Sequence, residues 1–320
     1  MKKEFSVRDG RIVDRHGRVR IFHGANVSGR AKTPPFLPLE DPGDLDALAR
    51  WGWNLVRLVT LWEAIEPEPG RYDDAYLDAL VRFVHACRAR GLSVIIDLHQ
   101  DLYSRHYGGD GAPAWTLPEN PGGPSFGGAR GYYNYFLCRD MIHAEQRFWR
   151  NADGIQDHYL AMLTHLGGRF SGIPGVLGYD LMNEPMGHPV QVFLGAFERK
   201  TLAGFYRRAI AAVREGDPDR LVFIEPAPLA GRGYPCFLPV FDAPGIVFTP
   251  HLYDSIAMRT MRYGSPLRTG PYAIHRFEAT ASRLGTPVLI GEFGILTGTP
   301  ESRRLLASQA ENFDGRFFSW

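Results

Sequence analysis

Ser93-Val94-Ile95-Ile96-Asp97-Leu98-His99-Gln100-Asp101 is the stretch on which the fold turns. Its first half is apolar on both faces, the pattern of a parallel strand buried between layers. Its end turns abruptly polar. The same switch recurs in Asn54-Leu55-Val56-Arg57-Leu58-Val59 and in Val176-Leu177-Gly178-Tyr179-Asp180-Leu181, which runs on to Asn183 and Glu184. It recurs again at Glu225 after Leu221–Ile224, at His251 after Ile246–Thr249, and at Glu292 after Val288–Ile290. A solvated surface does not place polar groups directly behind so many apolar runs.

Eight strands follow from this reading, near residues 20–24, 54–59, 93–98, 176–181, 221–224, 246–249, 288–291 and 316–320. Helical spacing fills most of the gaps. It runs over 44–51, 76–90 (stopped by Gly91), about 139–169 with a break near 151–154, 193–215 and 273–284. Before them, residues 10–22 read as a small hairpin turning at Arg15-His16-Gly17-Arg18. Alternating strands and helices make an α/β fold, and eight strands predict a (β/α)8 TIM barrel ending at strand eight. An open doubly wound sheet would want GxGxxG after an early strand, and none is there. Residues 1–320 read as one catalytic domain, with no repeat and no linker. The segment 99–140, between the third strand and its helix, is too long and too rich in Gly, Pro, Tyr and Asn for a plain connection.

Composition agrees with one large core. The chain is 44% apolar with 36 basic and 35 acidic residues, which gives nucleic acid no basic footprint. Cys87, Cys138 and Cys236 are too scattered for a disulfide framework or a zinc site. No run of 18 apolar residues is present, so no transmembrane segment is expected. The amino terminus lacks the apolar core of a leader peptide, and a reducing, cytoplasmic setting is the expectation. Asn26-Val27-Ser28 fits a glycosylation acceptor but is short enough to arise by chance.

In a barrel, the carboxyl ends of the strands carry the site. Glu184 and Glu292 sit there, three strands apart, and are placed to face each other across the mouth. Paired carboxylates of this kind serve glycosidic hydrolysis, one as acid and one as base or nucleophile. A separation of about 5–5.5 Å means retention; about 6.5–9.5 Å leaves room for water and means inversion. Arg57 is placed to keep Glu292 ionised, and Tyr253 to donate to it. Asn183 suits a sugar hydroxyl; His99 and His251 add donors. Trp320 offers a flat face for a sugar ring, and Tyr103, Tyr107 and Trp115 offer walls for the pocket. Asn26, Gln100 and Asp101 complete the polar rim. Asp97 and Asp180 read as structural. The glycines of 108–113 fit neither a phosphate loop nor a calcium loop, and no cofactor or metal is implied.

Taken together, these segments resemble glycoside hydrolase family 5. The resemblance rests on Asn54-Leu55-Val56-Arg57, Asp97-Leu98-His99-Gln100, Asn183-Glu184-Pro185, His251-Leu252-Tyr253 and Gly291-Glu292-Phe293-Gly294, in barrel order. It implies a retaining enzyme with Glu184 as acid/base and Glu292 as nucleophile. Arg57, His99, Asn183, His251, Tyr253 and Trp320 match its supporting positions. Asp97 to Arg105 is similar to the endoglycoceramidase-related branch. Gly108 to Thr116 and Gln146-Arg147-Phe148-Trp149 resemble its glucocerebrosidase and steryl β-glucosidase members.

The implied reaction removes β-glucose from an apolar aglycone such as glucosylceramide or a steryl glucoside. The implied partner is that glycolipid, with transient contact to membrane surfaces. Endoglycoceramidase-type action, β-glucan endo-hydrolysis, a metal-dependent barrel hydrolase and a non-catalytic carbohydrate-binding barrel stand as alternatives. The resemblance also implies an eighth outer helix and a C-terminal β-sandwich after strand eight, whereas the sequence stops at Trp320.

Overall fold

The computed structural model describes residues 3–39, 41–254, 256–257, 269–295 and 298–320. A hairpin of β1 (Phe5–Arg8) and β2 (Arg11–Asp14) comes first. Six strands then form one parallel sheet in chain order: β3 (Gly24–Val27), β4 (Leu55–Leu61), β5 (Ser93–His99), β6 (Val176–Asp180), β7 (Leu221–Ile224) and β8 (Ile246–Phe248). Residues 288–290 and 318–320 continue the ring through parallel bridges Phe248↔Val288 and Leu289↔Ser319. The ring closes where Trp320 N donates to Phe22 O at 2.8 Å and Gly24 N donates to Trp320 O at 2.9 Å. The chain is a (β/α)8 barrel.

Period-two alternation builds both core and site. Leu55, Ile95, Phe223 and Val247 point into the barrel with Phe22 and Leu289. Two residues further along the same strands come Arg57, Asp97 and Glu225, on the same inner face but nearer the mouth. Val56, Val94 and Ile96 face outward into the layer shared with the helices. The helix Asp74–Ala89 buries Tyr76, Leu77, Leu80, Phe83, Val84 and Cys87 there. Asp73 starts it by accepting from Tyr76 N at 2.9 Å.

Three sequence readings need correction. The main hairpin lies at 5–14, one step before the predicted turn; only a Val13↔Val19 bridge marks the later strand. The first stave pairs at Gly24–Val27 rather than near 20–24. Gly24 is needed because a Cβ there would lie 2.0 Å from Leu55 O. Finally, the helix Pro300–Asp314 precedes the eighth stave and was not read from the sequence. Its signal is the Thr299/Ser302 capping box. The segment 99–140 contains three 3-10 turns and the short helix Asn134–Leu137. No helix among the described residues is long and apolar enough to cross a membrane.

Candidate active site

Arg57 is the hub. It is 2% exposed, at the inner face of β4. Its Nε donates to Asp180 Oδ2 at 3.0 Å, and Nη1 donates to Asn26 Oδ1 at 3.1 Å and to Glu292 Oε1 at 3.0 Å. Its Nη2 donates to Asp97 Oδ1 at 2.9 Å, Asn183 Oδ1 at 3.0 Å and Glu225 Oε1 at 2.8 Å. Burial alone disfavours the guanidinium charge, but the four surrounding carboxyls hold it firmly. Burial and the charge of Glu225 push Asp180 upward, and the Arg57 guanidinium opposes them.

Glu184 is held by its backbone. Its φ of +42° is the left-handed region, rarely used by a side chain of this size. Three contacts fix that conformation. Glu184 N donates to Glu225 Oε2 at 2.8 Å, while Gln100 Nε2 donates to Asn183 O at 2.9 Å and to Glu184 O at 3.1 Å. Asn183 Nδ2 donates in turn to Gln100 O at 3.0 Å. Strain overruled by neighbours in this way is found at functional sites.

Glu292 opens β10 (Glu292–Phe293), which pairs in parallel with β9 (His251–Leu252). Tyr253 Oη donates to Glu292 Oε2 at 2.8 Å. His251 stands between the two glutamates: its Nδ1 is 3.0 Å from Glu184 Oε1 and 3.7 Å from Glu292 Oε2. Its Nε2 lies 3.1 Å from Glu225. Carboxyl oxygens of Glu184 and Glu292 lie within 4.8 Å of each other.

The electrostatics separate the pair. Burial tends to raise Glu292, but the charges of His251, Arg57 and His99 outweigh it and hold the carboxyl down at about 2. Burial raises Glu184; its contact with His251 opposes this, and the charges of Glu292 and Asp101 reinforce it. The same site thus pushes its two carboxyls in opposite directions, Glu292 down and Glu184 up. Burial tends to strip His251 of its proton, but Glu225 and Glu292 more than offset that and keep it charged.

The remaining predicted residues divide. His99 Nδ1 meets Asp97 Oδ2 at 2.7 Å and Nε2 lies 3.5 Å from Asp101. Burial opposes its charge, yet the flanking aspartates push it up to about 10. Asn26 Nδ2 donates to Gly291 O at 3.0 Å, tying the first stave to the seventh. Trp320 shares a cavity of about 550 Å³ with Asn26, Trp53, Arg57 and Glu292. Its indole is stacked on His23 at 4.4 Å and its N–H donates to Asp314 at 3.0 Å, so one ring face is already covered.

Tyr103, Tyr107 and Trp115 are not walls of that cavity. Leu102 and Tyr103 take positive φ and turn the chain inward. Tyr103 and Tyr107 are buried, and Trp115 packs edge-on against Trp62 with its N–H on Glu66 O. Sequence reading also missed Lys32, which lies 2.5 Å from Asp101 and 3.3 Å from Asp110. Glu225 was seen as a strand end but not as the group that binds Arg57 and the Glu184 amide together.

Among the described residues, two clusters have metal-ligand spacing: Glu184, His251 and Glu292, and His99, Asp101 and Asp110. In each the counter-charge is already supplied by protein, by His251 and Arg57 in the first and by Lys32 in the second. A protonated imidazole has no lone pair to give a metal.

Comparison with known proteins supplies the family. Residues 26–313 match the family model described as Cellulase (glycosyl hydrolase family 5). Endoglycoceramidase I of Rhodococcus hoagii (strain 103S) is 31% identical over 97% of this chain and 65% of its own length. A glucosylceramidase of Rhizopus delemar is 28% identical over 55% of this chain and 34% of its own. The chain thus spans less than two thirds of the length of these relatives. Among solved structures, the ganglioside GM3 complex of endo-glycoceramidase II from Rhodococcus sp. superposes with a TM-score of 0.88 at 30% identity, covering 98% of this chain and 75% of that one. Since the matched span contains every residue from Arg57 and His99 to Glu184, His251, Tyr253 and Glu292, this chain belongs to glycosyl hydrolase family 5.

Proposed function

We propose that this protein is a retaining β-glycosidase that cleaves the β-glucosidic bond between glucose and an apolar aglycone of the glycolipid class. One observation carries the reading: two carboxyl groups with oxygens within 4.8 Å, one pushed down to about 2 and the other pushed up by burial. That spacing leaves no room for the water of an inverting mechanism. These opposite directions assign the roles. Glu292 attacks the anomeric carbon as Glu184 protonates the departing oxygen, giving a glycosyl–Glu292 ester. Glu184, now ionised, takes a proton from water, and the hydroxide equivalent displaces Glu292 to release the sugar with its configuration kept. Arg57, His251 and Tyr253 hold Glu292 as a carboxylate; His99 adds positive charge from β5.

Endo-glycoceramidase II from Rhodococcus sp., solved as a lactosyl-enzyme intermediate, is 31% identical over 96% of this chain, which supports the covalent route. Its likeness, and that of endoglycoceramidase I, favours release of an intact oligosaccharide from lipid, because glucosylceramidases such as that of Rhizopus delemar match only 55% of the chain or less.

A product-resolved screen tests this. It compares glucosylceramide, an oligoglycosylceramide, a steryl glucoside, an aryl β-glucoside and a β-glucan. Lipid released with its glycan intact supports the reading. Turnover confined to β-glucan, or product NMR showing net inversion, overturns it.

A further inference from the structure

We infer that Gln100 is a positioning residue for the acid/base, locked in place by the glycine loop 108–111, a role that rests on the retaining reading above. Its carboxamide grips the backbone on which Glu184 stands. Nε2 donates to two consecutive carbonyls, Asn183 O at 2.9 Å and Glu184 O at 3.1 Å, while Oε1 accepts from Tyr103 N at 2.9 Å. These partners leave one orientation. Flipped, the carboxamide would set an oxygen against two carbonyls and its N–H groups against a backbone N–H.

The backbone so held is one a glutamate rarely adopts, with φ at +42°. Glu225 Oε2 fixes the amide side of Glu184 at 2.8 Å, and Gln100 fixes the carbonyl side. Releasing the carbonyl lets φ relax toward the negative range, and the carboxyl at the end of the side chain swings with it. Glu292 is set from elsewhere, by Arg57 and Tyr253. Gln100 therefore acts on one half of the catalytic pair.

The glycines after Tyr107, which suit neither phosphate nor calcium, supply the opposing jaw. The chain returns antiparallel beside Gln100: Asp110 N donates to Asp101 O at 2.9 Å, Asp101 N to Asp110 O at 3.2 Å and Ala112 N to Tyr103 O at 2.8 Å. A Cβ on Gly111 would lie 2.4 Å from Gln100 Cβ and 2.7 Å from its Cα, and one on Gly109 would lie 1.7 Å from Asp101 O. Gly111 also has φ at +113°, a conformation that side-chain-bearing residues rarely adopt. Glu63 N donates to Gly111 O at 2.8 Å and holds the returning chain from the end of β4.

The chemical consequence is selective. Protonating a poor leaving group needs Glu184 in place, and so does taking a proton from water in the second step; attack by Glu292 does not. Misplacing a reacting group by 1 Å costs about 10²-fold. A dinitrophenolate departs without a proton. Azide has no proton to lose, so it can displace Glu292 from the glycosyl ester unaided: its C–N bond forms as the C–O bond to Glu292 breaks, and the product is β-configured.

Two variants test this on the full chain. Gln100→Met keeps the length of the side chain and loses its donors; Gly111→Ala leaves the carboxamide intact and pushes it aside. Each is assayed on an octyl and a dinitrophenyl β-glycoside, carrying glucose or lactose. With the octyl substrate kcat/KM should fall about 10²-fold, and with the dinitrophenyl one by no more than about threefold. Azide should raise kcat of the variants on the dinitrophenyl substrate more than that of wild type and yield the β-glycosyl azide. Equal losses on both substrates without an azide response, the mark of a generally loosened barrel, overturn the proposal. So does wild-type turnover of the octyl substrate by Gln100→Met. If Gly111→Ala does not fold, Gln100→Met and Gln100→Glu decide, since both leave the loop untouched. Hydrogen exchange at the Glu184 amide needs no turnover. It should quicken at least about tenfold in Gln100→Met, and an unchanged rate overturns the proposal. That quickening in a chain that hydrolyses no β-glycoside leaves the clamp standing and overturns the enzymatic reading instead.

Discussion

Arg57 Nη1 donates to Glu292 Oε1 at 3.0 Å, and the same guanidinium is shared with Asp97, Asp180 and Glu225. Removing it strands several buried carboxyls at once. Arg57→Leu is expected to cost about 3–5 kcal/mol of stability, seen as a shifted denaturant midpoint. Arg57→Lys keeps the charge but loses the planar fork. Its acidic limb of kcat/KM should move to higher pH, because Glu292 is held less firmly.

Glu292→Ala should lower kcat by about 10⁴-fold, the scale on which a covalent nucleophile is missed. Azide should restore part of the activity and yield a glycosyl azide of inverted configuration. Recovery with retained configuration would assign the nucleophile elsewhere.

The pH profile should be bell-shaped. Activity requires Glu292 ionised, and its carboxyl is held at about 2, so the acidic limb lies far below neutrality. It also requires Glu184 protonated, so activity falls as pH rises through the raised value of that group. Glu184→Gln should flatten the alkaline limb. It should spare aryl glucosides with good leaving groups and nearly abolish turnover of alkyl ones.

Glu145 gives a prediction outside the reaction. Its carboxyl is buried in the helix Arg139–Trp149, and Oε2 makes no hydrogen bond with protein. It borders a cavity of about 30 Å³ with His99, Gln100 and Tyr103. Burial raises it well above the usual carboxylate range. The folded protein then binds a proton that the unfolded chain releases. Stability on this account is full below the unfolded value and declines as pH climbs toward the folded one. Glu145→Gln should remove that slope, and thermal melts across the pH range would show it. An unchanged slope would mean that Glu145 is ionised in the fold.

Much of the site was legible because buried apolar runs end in polar residues. Arg57, Glu184 and Glu292 announce themselves that way, and so do His99 and His251. Glu225 was visible by the same rule, but its role depends on three partners from other strands. Lys32 follows no apolar run and comes from a 3-10 turn, so nothing local marks it. The first stave was displaced because Gly24-Ala25-Asn26-Val27 is less apolar than Val19 to Phe22 before it. Tyr103 and Trp115 were expected to face the pocket, yet Tyr103 sits in a positive-φ turn with Leu102, and Trp115 is taken up by Trp62 and Glu66, which side-chain chemistry does not reveal.

The carboxyls gathered on Arg57 come from four different staves: Asp97 on β5, Asp180 on β6, Glu225 after β7 and Glu292 after residues 288–290. One side chain thus ties five staves together across the inside of the ring. None of them can open alone without uncovering an unpaired charge. Native-state amide exchange should therefore show β4 to β7 releasing their slowest protons together, as a single cooperative block. Selection for new substrates then has little freedom inside the ring and must act on the loops above it.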